Sequence, residues 1–219
     1  MNTLERAKRE LVNTAYAAYQ KGLFYETWGN MSCKPTENSI VITPSGIPYA
    51  KLRFFDMVVI ESSGKTLQGR LKPSTELPLH LAIYEKRKDI RAIVHTHSIY
   101  AAAFAVSRKG IPVALEEQAQ IVGGVVEVAA YAPPGSPELA ANALEALGDN
   151  SAVLLANHGL ICTGPDLAAA LQRCIVIERN ARVILCSKLL GQTFTLSPEE
   201  VTNLRSDFLF LYGQQGHAE

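Results

Sequence analysis

Apolar residues recur along the chain in two rhythms, and each change of rhythm marks an element. Leu4, Ala7, Leu11, Ala15 and Ala18 stand three or four residues apart, which predicts a helix over 3–21 that stops at Gly22. Short β-type runs follow: SIVIT at 39–43, then MVVIE at 57–61, whose SSGK turn folds GKTLQGR back as a hairpin. From about Thr75 the stretch TELPLHLAIYEKR predicts a helix with Ser74 as N-cap and Pro78 in the first turn, where proline removes no needed donor. Strand IRAIVH (90–95) and helix SIYAAAFAVSR come next, followed by strand VVEVAAY (125–131), helix PELAANALEAL and strand SAVLLAN (151–157). A long helix runs from Pro165 to Gly191, and SPEEVTNLRSDFLFLYG forms a last helix behind the capping pair Ser197 and Glu200.

Helices that alternate with strands, antiparallel in the front half, predict an α/β fold. The expectation is a single three-layer α/β/α domain over 1–219 with a central mixed, largely antiparallel sheet and a flexible tail at 213–219. At 219 residues and 47% apolar, the chain is long enough for one sizeable core. Lys and Arg number 21, as do Asp and Glu, so charge balance points to neither nucleic acid nor an anionic membrane. Any bound anion must be held by local groups. Cys33, Cys162, Cys174 and Cys186 form no CxxC pair and read as reduced, buried thiols. No apolar run reaches about 18 residues, and the opening MNTLERAKRELVNTAY is charged and helical rather than signal-like. A soluble, cytoplasmic protein is expected.

The chemistry concentrates in RAIVHTHSIYAA, residues 91–102. On a strand His95 and His97 project from one side, about 7 Å apart at Cα, while Thr96 points away. Two such imidazoles can converge on one metal ion. His158 ends a second apolar strand, in SAVLLANHGLI, where the chain turns at Gly159. Alone, each histidine reads as an ordinary polar strand end; together they suggest a three-histidine metal site with an open coordination position. His80 lies on a helix four residues after Glu76 and is not recruited, and His217 belongs to the tail. Glu76, behind a Pro-Ser-Thr run, suits a resting ligand that becomes a proton acceptor, or equally a helix-start acid favoured by the macrodipole. Three small-residue stretches, Thr27-Trp28-Gly29-Asn30, Thr43-Pro44-Ser45-Gly46 and Ser74-Thr75, can jointly cradle a phosphate through backbone N–H groups and hydroxyls.

Taken in order, GN, TPSGIPY, KPSTE, HTH, NHG and the closing YG resemble the class II aldolase and adducin family over roughly residues 5–213, nearest to its fuculose-phosphate aldolase branch. The resemblance implies a zinc-dependent lyase with one Zn2+ per subunit, Mn2+ or Co2+ being acceptable to the same ligands. It implies His95, His97 and His158 as metal ligands, with Glu76 as further ligand and catalytic acid/base. Gly29, Asn30, Ser45, Gly46, Ser74 and Thr75 match the family's phosphate site. Tyr212 matches a tyrosine that helps protonate the leaving aldehyde. The implied partner is a small phosphorylated sugar, and the implied assembly is a homotetramer with active sites between subunits. The implied reaction is reversible cleavage of a ketose 1-phosphate, such as L-fuculose 1-phosphate, to dihydroxyacetone phosphate and an aldehyde such as L-lactaldehyde, through a metal-stabilised enediolate.

Glutamate at position 76 sets the chain apart from the sugar-phosphate 4-epimerase branch, which usually has aspartate there. The stretch PVALEEQAQIVGG carries Glu116 and Glu117 where the fuculose-phosphate branch has a tyrosine, and is similar in that respect to the methylthioribulose-1-phosphate dehydratase branch. Epimerase and dehydratase therefore stand as alternatives on the same metal. A non-catalytic adducin-like interaction module stands apart from both, because it typically lacks the histidines.

Overall fold

The computed structural model describes residues 2–212; the stretch 213–219, expected as a tail, and His217 within it lie outside the described residues. Helix α1 (Thr3–Gln20) starts at Asn2, whose side chain accepts from the Glu5 N–H, and it buries the apolar residues whose spacing predicts it. Helices α2 (Leu77–Lys86), α3 (Ile99–Val106), α5 (Pro137–Leu147), α6 (Leu167–Leu190) and α7 (Pro198–Leu211) also fall where periodicity puts them. The Ser197 and Glu200 capping box is present at α7. A further helix, α4 (Glu116–Ile121), was not predicted, and packs with α7 around Val113, Ala119 and Val201.

Eight strands form one sheet: β1 (Asn30–Thr36), β2 (Ser39–Ile42), β3 (Val58–Glu61), β4 (Thr66–Gln68), β5 (Ala92–Thr96), β6 (Glu127–Ala129), β7 (Ala152–Leu155) and β8 (Gly159–Gly164). The spatial order is β4-β3-β2-β1-β5-β8-β7-β6, and only β6 and β7 run parallel. Strand parity sorts the side chains into two cores. Ala92 and Val94 of β5 join Val41, Val59, Leu154 and Leu160 beneath α1, α3 and α6. Ile93 joins Ile40, Ile60, Val153 and Ile161 beneath α2 and α5. These are the three layers and the mixed, largely antiparallel sheet expected. No helix among the described residues is long and apolar enough to cross a membrane.

Several local expectations fail. Strand β1 was not predicted, because NMSCKPT lacks an apolar alternation. Strand β8 was not predicted either: the turn belongs to Asn157, in the left-handed region at φ 55°, and Gly159 opens the next strand instead of making the turn. Glu76 takes the N-cap position of α2 in place of Ser74, whose hydroxyl accepts the Glu76 N–H at 3.3 Å one step earlier. Asp166 caps α6, accepting from the Ala169 N–H, so Pro165 precedes the helix. All four cysteines are free thiols, but only Cys162 and Cys174 are buried; Cys33 is half-buried and Cys186 exposed.

Candidate active site

Strand β5 lies between β1 and β8, so a side chain on it is closed in from both sides. His95 is fully buried there, and its Nδ1–H donates to the Leu160 carbonyl of β8 at 3.1 Å. That bond fixes the tautomer and leaves Nε2 as a bare lone pair. His97 follows β5 on the same side, and His158 sits in the three-residue turn between β7 and β8. The Nε2 atoms of His95 and His97 are 2.9 Å apart, those of His95 and His158 3.3 Å. Ligands of a tetrahedral zinc at about 2.1 Å lie roughly 3.4 Å from one another. The three rings meet nearly edge to face, at centroid distances of 4.8 to 4.9 Å. Three lone pairs facing one another repel unless a cation lies among them, so this donor set fits a small divalent metal. Burial pushes His95 down to about 4 and His97 down to about 3, with neighbouring imidazoles adding to the effect, so both are neutral at pH 7.

The close approach depends on two glycines. A Cβ on Gly159 would run into the Thr96 carbonyl oxygen and come within 3.1 Å of His95 Cε1 and 3.3 Å of His97 Cδ2. Gly29, at φ +90°, would place a Cβ 2.7 Å from the His95 carbonyl oxygen and 2.8 Å from the Phe24 ring. The guanidinium of Arg108 donates to Asn157 Oδ1 and props the turn that carries His158. Trp28 lies against His97 with ring centroids 5.7 Å apart.

Glu76 completes the cluster. Its Oε2 is 3.1 Å from His95 Nε2 and its Oε1 is 3.0 Å from His158 Nε2. Burial works to raise its pKa, but His95, His158 and the Asn30 amide, which donates to Oε2 at 2.7 Å, outweigh it and hold the carboxyl below the usual range. Glu76 is therefore an ionised, buried carboxylate beside the three imidazoles. Behind it, His80 bonds to the same Asn30. Sequence reading set His80 aside; the signal available was the i, i+2 pair Asn30 and Ser32, polar positions on one face of an unrecognised strand.

The three small-residue stretches come together. A cleft of about 470 Å3 is lined by Thr27 to Asn30, Pro44 to Gly46 and Ser74 to Glu76, together with His97 and His158. Two backbone bonds lace the second stretch to the segment that leads into the third: the Ser45 N–H donates to Lys72 O and the Ser74 N–H to Thr43 O. Those two amides are thus committed, as is the side chain of Asn30. Gly29, Ser45, Gly46, Ser74 and Thr75 all border the cleft. Tyr131 and Pro134, which no sequence signal singles out, also line it. Tyr212 does not line the cleft; it is exposed at the end of α7, stacked on Phe208 at 4.9 Å. Glu116 and Glu117 open α4 away from the cleft, with Glu117 3.6 Å from Arg179.

The chain's relatives agree with this architecture. The Class II Aldolase and Adducin N-terminal domain family matches residues 9–185. A 5-deoxy-D-ribulose 1-phosphate aldolase of Bacillus thuringiensis serovar kurstaki is 37% identical over 213 residues, 97% of this chain and 99% of the relative. An L-fuculose phosphate aldolase of Escherichia coli K12 is 33% identical, covering 94% and 96% of the two chains. A solved L-fuculose 1-phosphate aldolase structure superposes with a TM-score of 0.90 at 34% identity, covering 94% of this chain and 97% of that one. With the fold, the histidine cluster and these likenesses in accord, the chain belongs to the class II aldolase and adducin family, on its catalytic, aldolase side.

Proposed function

We propose that the protein is a divalent-metal aldolase that cleaves a short ketose 1-phosphate reversibly into dihydroxyacetone phosphate and a small aldehyde. The observation that carries this reading is the Glu76 carboxylate, within 3.1 Å of two of three convergent imidazoles and lining a cleft. His95, His97 and His158 hold the cation, which supplies a Lewis acid that draws charge from the substrate's carbonyl oxygen; zinc is the proposed ion. Ser45, Gly46, Ser74, Thr75 and Gly29 border the space for the phosphate and set the sugar's register.

In cleavage, the hydroxyl on carbon 4 gives up its proton through Tyr212 to solvent, its oxygen forms the aldehyde carbonyl, and the electrons of the C3–C4 bond pass to carbon 3. Glu76, after taking up a proton from solvent, delivers it to that carbon. In condensation, Glu76 removes it again, at Oε1, because Oε2 already accepts the Asn30 amide. Tyr212, contributed by a neighbouring copy of the chain, is the proposed donor to the oxygen on carbon 4. A homotetramer with its sites at subunit boundaries is supported by the exposed apolar end of α7, where Leu209, Leu211 and Tyr212 face outward.

The test is release of dihydroxyacetone phosphate, read by coupled reduction, from L-fuculose 1-phosphate and 5-deoxyribulose 1-phosphate by metal-stripped and zinc-reconstituted protein. Zinc-dependent release from at least one is expected. An epimerised sugar phosphate with no triose released, or loss of water in place of cleavage, overturns the aldolase reading in favour of the epimerase or dehydratase.

A further inference from the structure

We propose that His80 is a positioning residue, which through Asn30 holds the Glu76 carboxylate in the orientation its proton transfer needs. The inference rests on the reading of Glu76 given above. Four buried polar groups stand side by side behind Glu76, in a face that is otherwise largely apolar. Asn30 and Ser32 project from β1 toward α2, among Ile40, Ile42, Leu79 and Ile83, and meet His80 and Tyr84 there.

Donor and acceptor identities allow one arrangement. An ionised carboxylate only accepts, so Asn30 must present Nδ2 to Glu76 Oε2, at 2.7 Å. Its Oδ1 then faces His80 Nε2 at 2.6 Å, and that nitrogen must carry hydrogen. Burial keeps the ring neutral, pushing His80 down to about 4, so Nδ1 is bare and accepts from the Ser32 hydroxyl at 2.7 Å. Ser32 Oγ in turn accepts from the Tyr84 hydroxyl at 2.8 Å. Donation runs one way from Tyr84 to Glu76, and the other tautomer of His80 would set an acceptor against Oδ1 of Asn30.

A paired buried hydrogen bond adds only modestly to net stability, and an apolar pair of the same shape can serve as well, so a row of four polar groups between apolar layers calls for a reason beyond packing. The row terminates on the carboxylate. Glu76 is the residue just before α2, held only at its backbone by the helix; the Asn30 amide restrains the carboxylate end. Without His80 the Asn30 amide can rotate, and Oε2 loses its fixed donor. Outer partners that orient a reacting group typically contribute about 10- to 100-fold.

Two variants separate the nitrogens. In H80Q the amide N–H reaches the place of Nε2; in H80N it reaches only the place of Nδ1. For H80N we expect kcat to fall at least about 10-fold, with KM and metal per chain, by elemental analysis, within about twofold of the parent. H80Q should recover most of the loss. Equal losses in both, or a parental kcat in H80N, overturn the proposal. Should H80N fail to fold, N30S removes the linking amide itself, and a parental kcat there is equally fatal. E76Q is assayed in parallel: if E76Q is inactive and H80N fully active, only the role of His80 falls, whereas an active E76Q removes the reading of Glu76 beneath it.

Discussion

Glu76 and His97 differ in what their loss should do. Glu76→Gln keeps the shape and leaves the three imidazoles in place, but an amide cannot take a proton from carbon. Turnover is expected to drop by about 10² or more while metal content stays near the parent's, read by steady-state kinetics and elemental analysis. A variant with near-parental cleavage would remove Glu76 from the chemistry. His97→Ala takes away one of three donors, so metal and activity should fall together, and added zinc should restore neither at stoichiometric concentration. One tightly held ion per chain in that variant would mean that His97 is no ligand.

At the scale of elements, the β7–β8 hairpin carries the tightest constraint. Its turn places His158 opposite β5, and Gly159 lets the two strands approach where His95 and His97 stand. Gly159→Ala is expected to destabilise the fold by about 1 to 3 kcal/mol and to lower metal occupancy, because the Thr96 carbonyl and both rings must move. Urea melts and metal analysis read the two effects, and an unaltered variant would show that the backbone yields there without consequence. Sequence periodicity located the α-helices other than α4 because their apolar stripes face a core, as Leu11 and Ala15 do in α1. It failed at β1 because Asn30 and Ser32 occupy a buried face with polar side chains that serve Glu76 and His80. Period-two hydrophobicity cannot announce a strand whose inward positions are polar. It failed at β8 because GLICTG opens and closes with glycine, a residue that usually marks a turn.

For the molecule as a whole, the buried histidines predict a definite response to acid. Folded His80 has its pKa pushed down by burial to about 4 from 6.5. Its folded pKa is the depressed one, so between pH 6.5 and 4 the unfolded chain binds a proton that the folded chain refuses. Stability must therefore rise with pH across that window. For His80 alone the folded state is expected to be about 2 kcal/mol less stable at pH 5 than at pH 7, measurable by urea melts of the metal-free protein. H80Q, which has nothing to titrate at that position, should show a shallower slope. A parent whose stability is flat from pH 7 to 5 would contradict the buried neutral ring. Assembly is a separate question of the same scale: sedimentation should give a mass near four chains, and a monomer that cleaves substrate at full rate would exclude a role for Tyr212 across a subunit boundary.

The chain's order of residues determined by itself most of the helix stripes and strands, because each of these is a local signal, and it marked the three histidines and Glu76 as candidates. A period, a cap or an HTH triplet needs no partner to be read. Only the tertiary structure decided that Asn30 turns its side chain to Glu76, that His80 stands behind it, and that Gly159 is required for clearance and not for a turn. Those facts depend on β1 lying beside β5 and on β8 crossing within contact distance of both histidines. Pairing between segments distant in the chain is set by which faces bury against which, and the identity of a single residue does not carry that information.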